Sequence, residues 1–192
     1  MHISYSKKFK KRVIEIFPGE YHVVKRKNVI LSTLLGSCVS VCLYDPVNSI
    51  VGLNHIMISN KVKYGERDLT PDTRYGIHAM EVLINQMIKK GASRKFLKAK
   101  VFGGGQVLNQ KTDIAYNNVK FAYEYLTAES IKILSKDTGG SHGRKIYLMS
   151  KNFTIYLRRI KMSNKLKDTV QKEKALVTKE SKKKEDSNLT FF

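Results

Sequence analysis

Short apolar runs separated by turn residues dominate the first third of the chain. These runs are rich in Val, Ile, Leu and Tyr, and several alternate apolar with polar positions, which is typical of strands. The runs at 39–44 and 50–58 flank the turn residues 45–49, so they are predicted to pair as a hairpin. The predicted strands are residues 21–24, 29–34, 39–44 and 50–58.

Helical periodicity begins in the middle of the chain. Thr70 followed by Pro71 is a typical helix start, and apolar residues then recur at helical spacing until Gly91. A second helix is predicted from about Asn117. Further strands are predicted at 97–102 and 131–135, with a final hairpin formed by 145–149 and 153–160.

The order of these elements predicts a layered α/β sandwich in a single domain. That domain is expected to span residues 18–160, after a basic lead-in at 1–17. From residue 161 the composition changes to Lys, Glu, Ser, Asp and Thr, which buries too little apolar surface to offset the entropy of ordering. Residues 161–192 are therefore predicted to be a lysine-rich disordered tail.

The charge of the chain is strongly positive, at +20 in 192 residues. Residues 161–192 contribute nine lysines and five acidic residues, so +16 of this charge belongs to residues 1–160. A field of this sign favours anionic partners. Charge is the only feature that suggests nucleic acid, because no recognition motif or interleaving of aromatic and basic residues accompanies it, and no nucleic-acid partner is expected.

The chain is expected to be a cytoplasmic protein. No secretory signal is recognised near the N-terminus, and the longest uncharged run, 29–44, is shorter than the 20 or so apolar residues that a transmembrane helix needs. Only two cysteines are present, both within one predicted strand segment, which gives no disulfide framework. A reduced thiol is then available for chemistry.

Cys38 and His55 are the candidate catalytic pair. Cys38 lies in a Gly-Ser-Cys turn at the start of one predicted strand, and His55 lies near the end of the strand that pairs with it. A neighbouring histidine activates a cysteine nucleophile and later donates a proton. The alternative is that both residues are buried structural residues. Cys42, deeper in the strand, is predicted to belong to the core.

A third residue is needed to orient the imidazole, and the hydroxyls of Thr33 or Ser32 are candidates. Backbone N–H groups near Gly36 and Ser37, or in the loop containing Gly103 and Gly104, are candidates for an oxyanion hole or a substrate loop. This glycine loop lacks the spacing of a nucleotide-binding motif. Histidine and cysteine spacing also fits no metal site, so neither a metal nor another cofactor is expected.

The motifs taken together resemble the chemoreceptor glutamine deamidase family, CheD, over residues 18–160. The resemblance implies an α/β sandwich with a papain-like Cys-His site, in which Cys38 attacks the side-chain amide of a receptor glutamine. It implies His55 as the acid and base, and a threonine before the cysteine turn as the third residue, with Thr33 the match and Ser32 the alternative after a one-residue shift. The segments that carry the resemblance are 31–39, 45–46, 54–55, 73–75, 91–92, 99–104, Asn118 and 137–140.

The expected substrates are the methyl-accepting chemoreceptors, whose selected glutamines become glutamates with release of ammonia. Some family members also bind a CheC-type phosphatase, so the resemblance makes such a phosphatase a candidate partner of this chain. Two departures from the family pattern affect loops: Ile58-Ser59-Asn60 follows the histidine strand, and Ala115 replaces a glycine. A non-catalytic adaptor that binds receptors or the phosphatase is therefore the alternative function.

Overall fold

Two five-stranded sheets and two helices form the part of the chain that this computed structural model describes, residues 1–25, 28–58, 71–107 and 113–160. The first sheet has the order β1 (His2–Ser6), β2 (Lys11–Glu15), β4 (Ile30–Leu35), β9 (Gly143–Met149) and β10 (Thr154–Ile160). The second sheet has the order β3 (Tyr21–Lys25), β6 (Ile50–Asn54), β5 (Val39–Asp45), β7 (Lys98–Gly103) and β8 (Lys132–Thr138). The helices are α1 (Pro71–Lys89) and α2 (Ile114–Ala128), and a 3-10 turn (Arg94–Phe96) precedes β7.

The second sheet is the middle layer of the domain. In β5, Val41 and Leu43 pack in one core with α1 and α2, whereas Cys42 packs in another core with residues of the first sheet. This division follows from strand geometry, because successive side chains point to opposite faces. The mixed α/β architecture predicted from the sequence is confirmed, with the layers in the order sheet, sheet, helices.

The start of the core was predicted wrongly. Residues 1–17 were expected to precede it, yet β1 and β2 belong to the first sheet, and β2 pairs with β4 in parallel. Val13, Ile14 and Ile16 are buried, whereas Arg12 is exposed. The basic residues dominate the composition of this segment, but its apolar residues are buried on both faces of the strand, with Ile14 and Ile16 in the core between the sheets and Val13 in a separate cluster on the other face.

The remaining elements follow the sequence prediction closely, with shifted ends. Helix α2 begins at Ile114, three residues before the expected start, and β8 extends through Asp137 and Thr138, which were predicted to be loop. The hairpins β5–β6 and β9–β10 are both antiparallel as predicted. The predicted tail, 161–192, and the capping Thr70 lie outside the described residues. Within the described ranges, no helix is long and apolar enough to cross a membrane.

Candidate active site

Cys38 and His55 lie at the open end of the β5–β6 hairpin. Cys38 directly precedes β5 and His55 directly follows β6, while Val39 and Ile56 exchange two backbone hydrogen bonds of 3.0 and 2.8 Å (N to O). In this register Cys38 and His55 occupy diagonal positions on neighbouring segments, where Cβ atoms lie about 7–8 Å apart or slightly closer, within reach of long side chains. Both side chains point into the gap between the two sheets.

Thr33 is the hydroxyl residue that contacts the histidine. Its Oγ1 lies 2.8 Å from His55 Nδ1 and donates a hydrogen bond of 2.7 Å to the carbonyl of Ile16. A hydroxyl has one proton to donate, so His55 Nδ1–H is the donor to Thr33. The neutral imidazole therefore carries its lone pair on Nε2. Ser32 points elsewhere, because its Oγ donates to the carbonyl of Ile146 at 2.9 Å.

The candidate pair is buried. Cys38 is 0% exposed and His55 is 2% exposed. The pKa of His55 is lowered to about 3, chiefly by burial and also by the Lys145 ammonium, while a hydrogen bond to Ile16 and the Glu20 carboxylate oppose this shift. His55 is consequently neutral at pH 7, and in this state it is suited to accept a proton rather than to form a standing ion pair.

Cys42 is separated from this chemistry by its environment. It is fully buried in the core between the sheets, and burial raises the pKa of its thiol to about 12. A thiol with such a pKa is almost entirely protonated at pH 7 and is a poor nucleophile. The prediction that Cys42 is a core residue is confirmed, and Cys42 is a natural control for Cys38.

The glycine loop after β7 supports the cysteine turn. The Gly104 N–H donates to the Cys38 carbonyl at 2.7 Å, and the Gly105 N–H donates to the Gly36 carbonyl at 2.8 Å. Gly103 has φ +116°, and a Cβ on it would lie 2.1 Å from the Cys38 carbonyl oxygen. Only glycine allows this approach. The bond to Cys38 occupies the Gly104 N–H, so this group is not an oxyanion donor. An oxyanion or substrate-loop role for Gly36, Ser37 and Gly103, and a substrate-loop role for Gly104, stay predictions.

Asn118 belongs to the site, and only the family resemblance drew attention to it in the sequence. It is 0% exposed, and its amide bonds both to Ser37, which precedes Cys38, and to Ile58, which follows the histidine segment. No signal was available from the residues alone, because the helix was expected to begin at about Asn117, and an asparagine at the start of a helix is common.

Arg144 is a second residue that sequence reasoning missed. Its side chain is buried, pairs with Asp137 at 2.7 Å, and donates to the carbonyls of Gly139 and His142. The loop held in this way also contacts the glycine loop, since the Gln106 N–H donates to Gly140. No side-chain signal in the sequence distinguishes Arg144 from the many exposed basic residues.

The site holds no arrangement typical of a metal centre. Over residues 1–25, 28–58, 71–107 and 113–160, no three His, Cys, Asp or Glu side chains gather closely enough to hold an ion. The groups present are a thiol, an imidazole and a hydroxyl, which together suit nucleophilic attack and proton transfer.

The family model described as CheD chemotactic sensory transduction matches residues 57–159 of this chain. Similar proteins named probable chemoreceptor glutamine deamidase CheD are found in several bacteria. That of Laribacter hongkongensis is 43% identical over 80% of this chain and 75% of its own length. One from Shewanella oneidensis is 42% identical over 82% and 77%, and one from Geobacter sulfurreducens is 40% identical over 81% and 81%.

Among solved structures, the chain is similar to one described as the Bacillus licheniformis hypothetical protein YfiH. The TM-score is 0.42 and the sequence identity 18%, over 62% of this chain and 50% of that chain. A likeness this weak assigns neither the fold nor an activity.

Proposed function

The chain belongs to the CheD family of chemoreceptor glutamine deamidases, and from that premise we propose that it hydrolyses glutamine side chains of chemoreceptors to glutamate in bacterial chemotaxis, with Cys38 as the nucleophile. The observation that supports this role best is the contact of Thr33 with His55, because it fixes the imidazole in the tautomer that leaves Nε2 as the base. The reaction proposed is amide hydrolysis through a papain-like Cys-His pair.

The first step forms a thioester. His55 Nε2 takes the proton of the Cys38 thiol as the sulfur attacks the carbon of the substrate amide, and the amide oxygen becomes an oxyanion. The tetrahedral intermediate then collapses, the C–N bond breaks, and His55 returns its proton to the leaving nitrogen, which departs as ammonia. Because His55 is neutral in the resting site, charge separation accompanies the attack of the sulfur rather than preceding it.

The second step regenerates the thiol. His55 Nε2 removes a proton from water, whose oxygen attacks the thioester carbon, and the C–S bond then breaks. His55 returns the proton to the Cys38 sulfur, and the product is a glutamate carboxylic acid that ionises in solvent. Thr33 accepts from Nδ1–H throughout, so it stabilises the imidazolium formed in each step.

The decisive experiment compares two cysteine variants. A chemoreceptor cytoplasmic fragment is incubated with wild type, Cys38→Ala or Cys42→Ala, and peptide mass spectrometry detects the gain of about one dalton for each Gln-to-Glu conversion expected of side-chain amide hydrolysis. We expect conversion with wild type and with Cys42→Ala, and none with Cys38→Ala. Conversion by folded Cys38→Ala would reject the cysteine mechanism.

The complete burial of Cys38 favours a second candidate function, which is a non-catalytic adaptor. A closed site permits binding of a receptor or of a CheC-type phosphatase without chemistry. If wild type binds the receptor fragment and releases no ammonia, the adaptor is the correct function. We also place the protein in the cytoplasm, where both free thiols would stay reduced.

A further inference from the structure

The hairpin that carries Cys38 and His55 has an interrupted ladder. Regular pairing of β5 with β6 stops at Cys42 and Leu53, and beyond it, up to residue 58 where the described segment ends, only Val39 and Ile56 form a pair. The register is unchanged across this gap, since both pairs belong to the same antiparallel alignment. In such an alignment, hydrogen-bonded pairs alternate with pairs that have no hydrogen bonds. The hydrogen-bonded positions on each side of Val39 and Ile56 are therefore predictable.

On the first side, this alternation places Val41 opposite Asn54. Instead of a backbone bond, the Val41 N–H donates to the side-chain Oδ1 of Asn54 at 2.9 Å. The backbone carbonyl of Asn54 accepts from the Ser40 hydroxyl. The Asn54 Nδ2 lies 3.4 Å from the sulfur of Met80 in α1, which ties the side chain to the helix layer. The side-chain Oδ1 of Asn54 has thus replaced its backbone carbonyl as the acceptor in the ladder immediately before His55.

On the other side, the alternation places Ser37 opposite Ile58. Here the amide of Asn118 lies between the two backbones: the Ile58 N–H donates to Oδ1 at 2.8 Å, and Nδ2 donates to the Ser37 carbonyl at 3.2 Å. Nδ2 also contacts the carbonyls of Ile58 at 3.2 Å and Ile114 at 3.0 Å. The asparagine bridges the turn before Cys38 and the segment after His55.

We propose that Asn54 and Asn118 are positioning residues that set the geometry of the Cys38–His55 pair by substituting side-chain amides for backbone bonds on each side of Val39 and Ile56. This inference rests on the proposed function of the pair. An amide suits the task because, like a peptide group, it offers a donor and an acceptor in one plane. The inserted amides spare both backbones from regular strand spacing while giving a partner to the Val41 N–H, the Ile58 N–H and the Ser37 carbonyl.

The cost of this arrangement is visible in the helix. Asn118 is interior to α2 and back-bonds to the carbonyl of Ile114, four residues earlier, a contact that slightly destabilises helices. Its position is also fully buried, where a residue without hydrogen bonds would be apolar. A polar side chain retained at such a site is explained by the two segments it joins.

The test uses Asn54→Ala, Asn118→Ala and Asn118→Asp. The last keeps an acceptor for the Ile58 N–H but removes the donor to Ser37, and it preserves size if the alanine variant fails to fold. We expect kcat for deamidation of the receptor fragment to fall at least about 10-fold, with KM within about twofold, because misplacement of reacting groups lowers the rate more than it lowers binding.

Ser150→Ala is the matched control. Ser150 is also buried, and its hydroxyl also joins a backbone pair: Oγ accepts from the Val29 N–H at 3.0 Å and donates to the Val29 carbonyl at 2.7 Å, beside a backbone bond from the Ser150 N–H to the same carbonyl. It directly follows β9 and bonds Val29 just before β4, whereas Thr33 lies further along β4. We expect this variant to lose stability to urea and to keep kcat within about twofold of wild type. An equal loss of kcat in Ser150→Ala would overturn the proposal, because activity would then follow stability alone.

A second readout separates this inference from the proposed function. The pH dependence of Cys38 alkylation by iodoacetamide, measured by peptide mass mapping from pH 6 to 9 in the folded proteins, reports the thiol and its base and needs no substrate. Changed alkylation profiles in the asparagine variants support the positioning role even if wild type deamidates nothing, in which case only the proposed function fails. If folded Asn54→Ala and Asn118→Asp have the same alkylation profile and the same kcat as wild type, the positioning role is overturned.

Discussion

Thr33 and His55 meet across the gap between the two sheets, with Oγ1 2.8 Å from Nδ1. Thr33 belongs to β4 in the first sheet, whereas His55 follows β6 in the second. Because the Thr33 hydroxyl donates its proton to the Ile16 carbonyl, its oxygen is the acceptor for His55 Nδ1–H. It therefore selects the tautomer protonated on Nδ1 without introducing a charge. This arrangement resolves the choice between Thr33 and Ser32 as neighbours of the histidine in favour of Thr33.

Removing the Thr33 hydroxyl should reduce catalysis while keeping the shape of the core. We expect Thr33→Val to lower kcat about 10- to 100-fold, since the imidazole loses the group that orients it. Thr33→Ser should retain most of the activity. Steady-state ammonia release with the receptor fragment measures both variants.

Ser32→Ala is the control for this experiment. It removes the bond to the Ile146 carbonyl and should cost about 1 kcal/mol of unfolding free energy, with kcat within about twofold of wild type. A greater loss of kcat in Ser32→Ala than in Thr33→Val would show that the assignment of the third residue is wrong.

The buried neutral His55 should make the protein acid-sensitive. Its pKa falls from an ordinary 6.5 to about 3 on folding, so between these values the unfolded chain binds a proton that the folded chain does not. Stability must therefore decrease as pH falls below 6.5, at about 1.4 kcal/mol per pH unit. From pH 7 to pH 5 this contribution amounts to about 2 kcal/mol, which urea unfolding at each pH measures.

His55→Gln isolates this contribution. The other four histidines are common to both proteins, so the difference in slope between wild type and variant belongs to position 55. The lowered pKa values of Glu20, Asp45 and Asp137 act at more acidic pH, outside the range of the comparison. Equal slopes in the two proteins from pH 7 to pH 5 would contradict a buried neutral imidazole.

Two glycines with positive φ should respond differently to alanine. At Gly103 a Cβ meets the Cys38 carbonyl oxygen at 2.1 Å, so Gly103→Ala must displace the cysteine turn as well as strain the backbone. Gly139 has φ +74° with nothing within 4 Å of a Cβ. We expect Gly139→Ala to lower the free energy of unfolding by about 1 kcal/mol and to leave kcat unchanged. Gly103→Ala should lower the free energy of unfolding several times more and abolish most of the activity. Thermal unfolding and ammonia release distinguish the two.

Neighbouring residues after β2 test the corrected start of the core. Ile16 is 1% exposed and Phe17 is 45% exposed. We expect Ile16→Ala to lower the free energy of unfolding by about 2–4 kcal/mol through the lost burial and the cavity it leaves. Phe17→Ala should change it by less than about 1 kcal/mol. A small effect at both positions would restore the view of residues 1–17 as a dispensable lead-in.

The parts of the site that the sequence predicted are local in the chain. Cys38 and His55 are joined by one short hairpin, whose strands and turn have clear signals, so their proximity follows from β-hairpin geometry. The core role of Cys42 follows from the same alternation. These predictions needed no knowledge of the rest of the fold.

The parts that the sequence did not predict depend on contacts between distant segments. The parallel pairing of β2 with β4 places the Ile16 carbonyl beside Thr33. The sequence of neither strand indicates that the other is its partner. The bridge made by Asn118 likewise joins α2 to Ser37 and Ile58, which are 81 and 60 residues away. Periodicity and propensity describe single elements, so they carry no information about which side chains meet between layers.

The hydrogen bond from His55 to Thr33 also makes the geometry of the site depend on how the two sheets pack against each other. Each sheet supplies one member of that bond, and no covalent element inside the site holds them in register. A small slip of one sheet over the other would separate the two atoms while both ladders stayed paired. Heating should consequently inactivate the enzyme before the sheets themselves melt, and a partner that clamps the two sheets together would raise the temperature at which activity is lost.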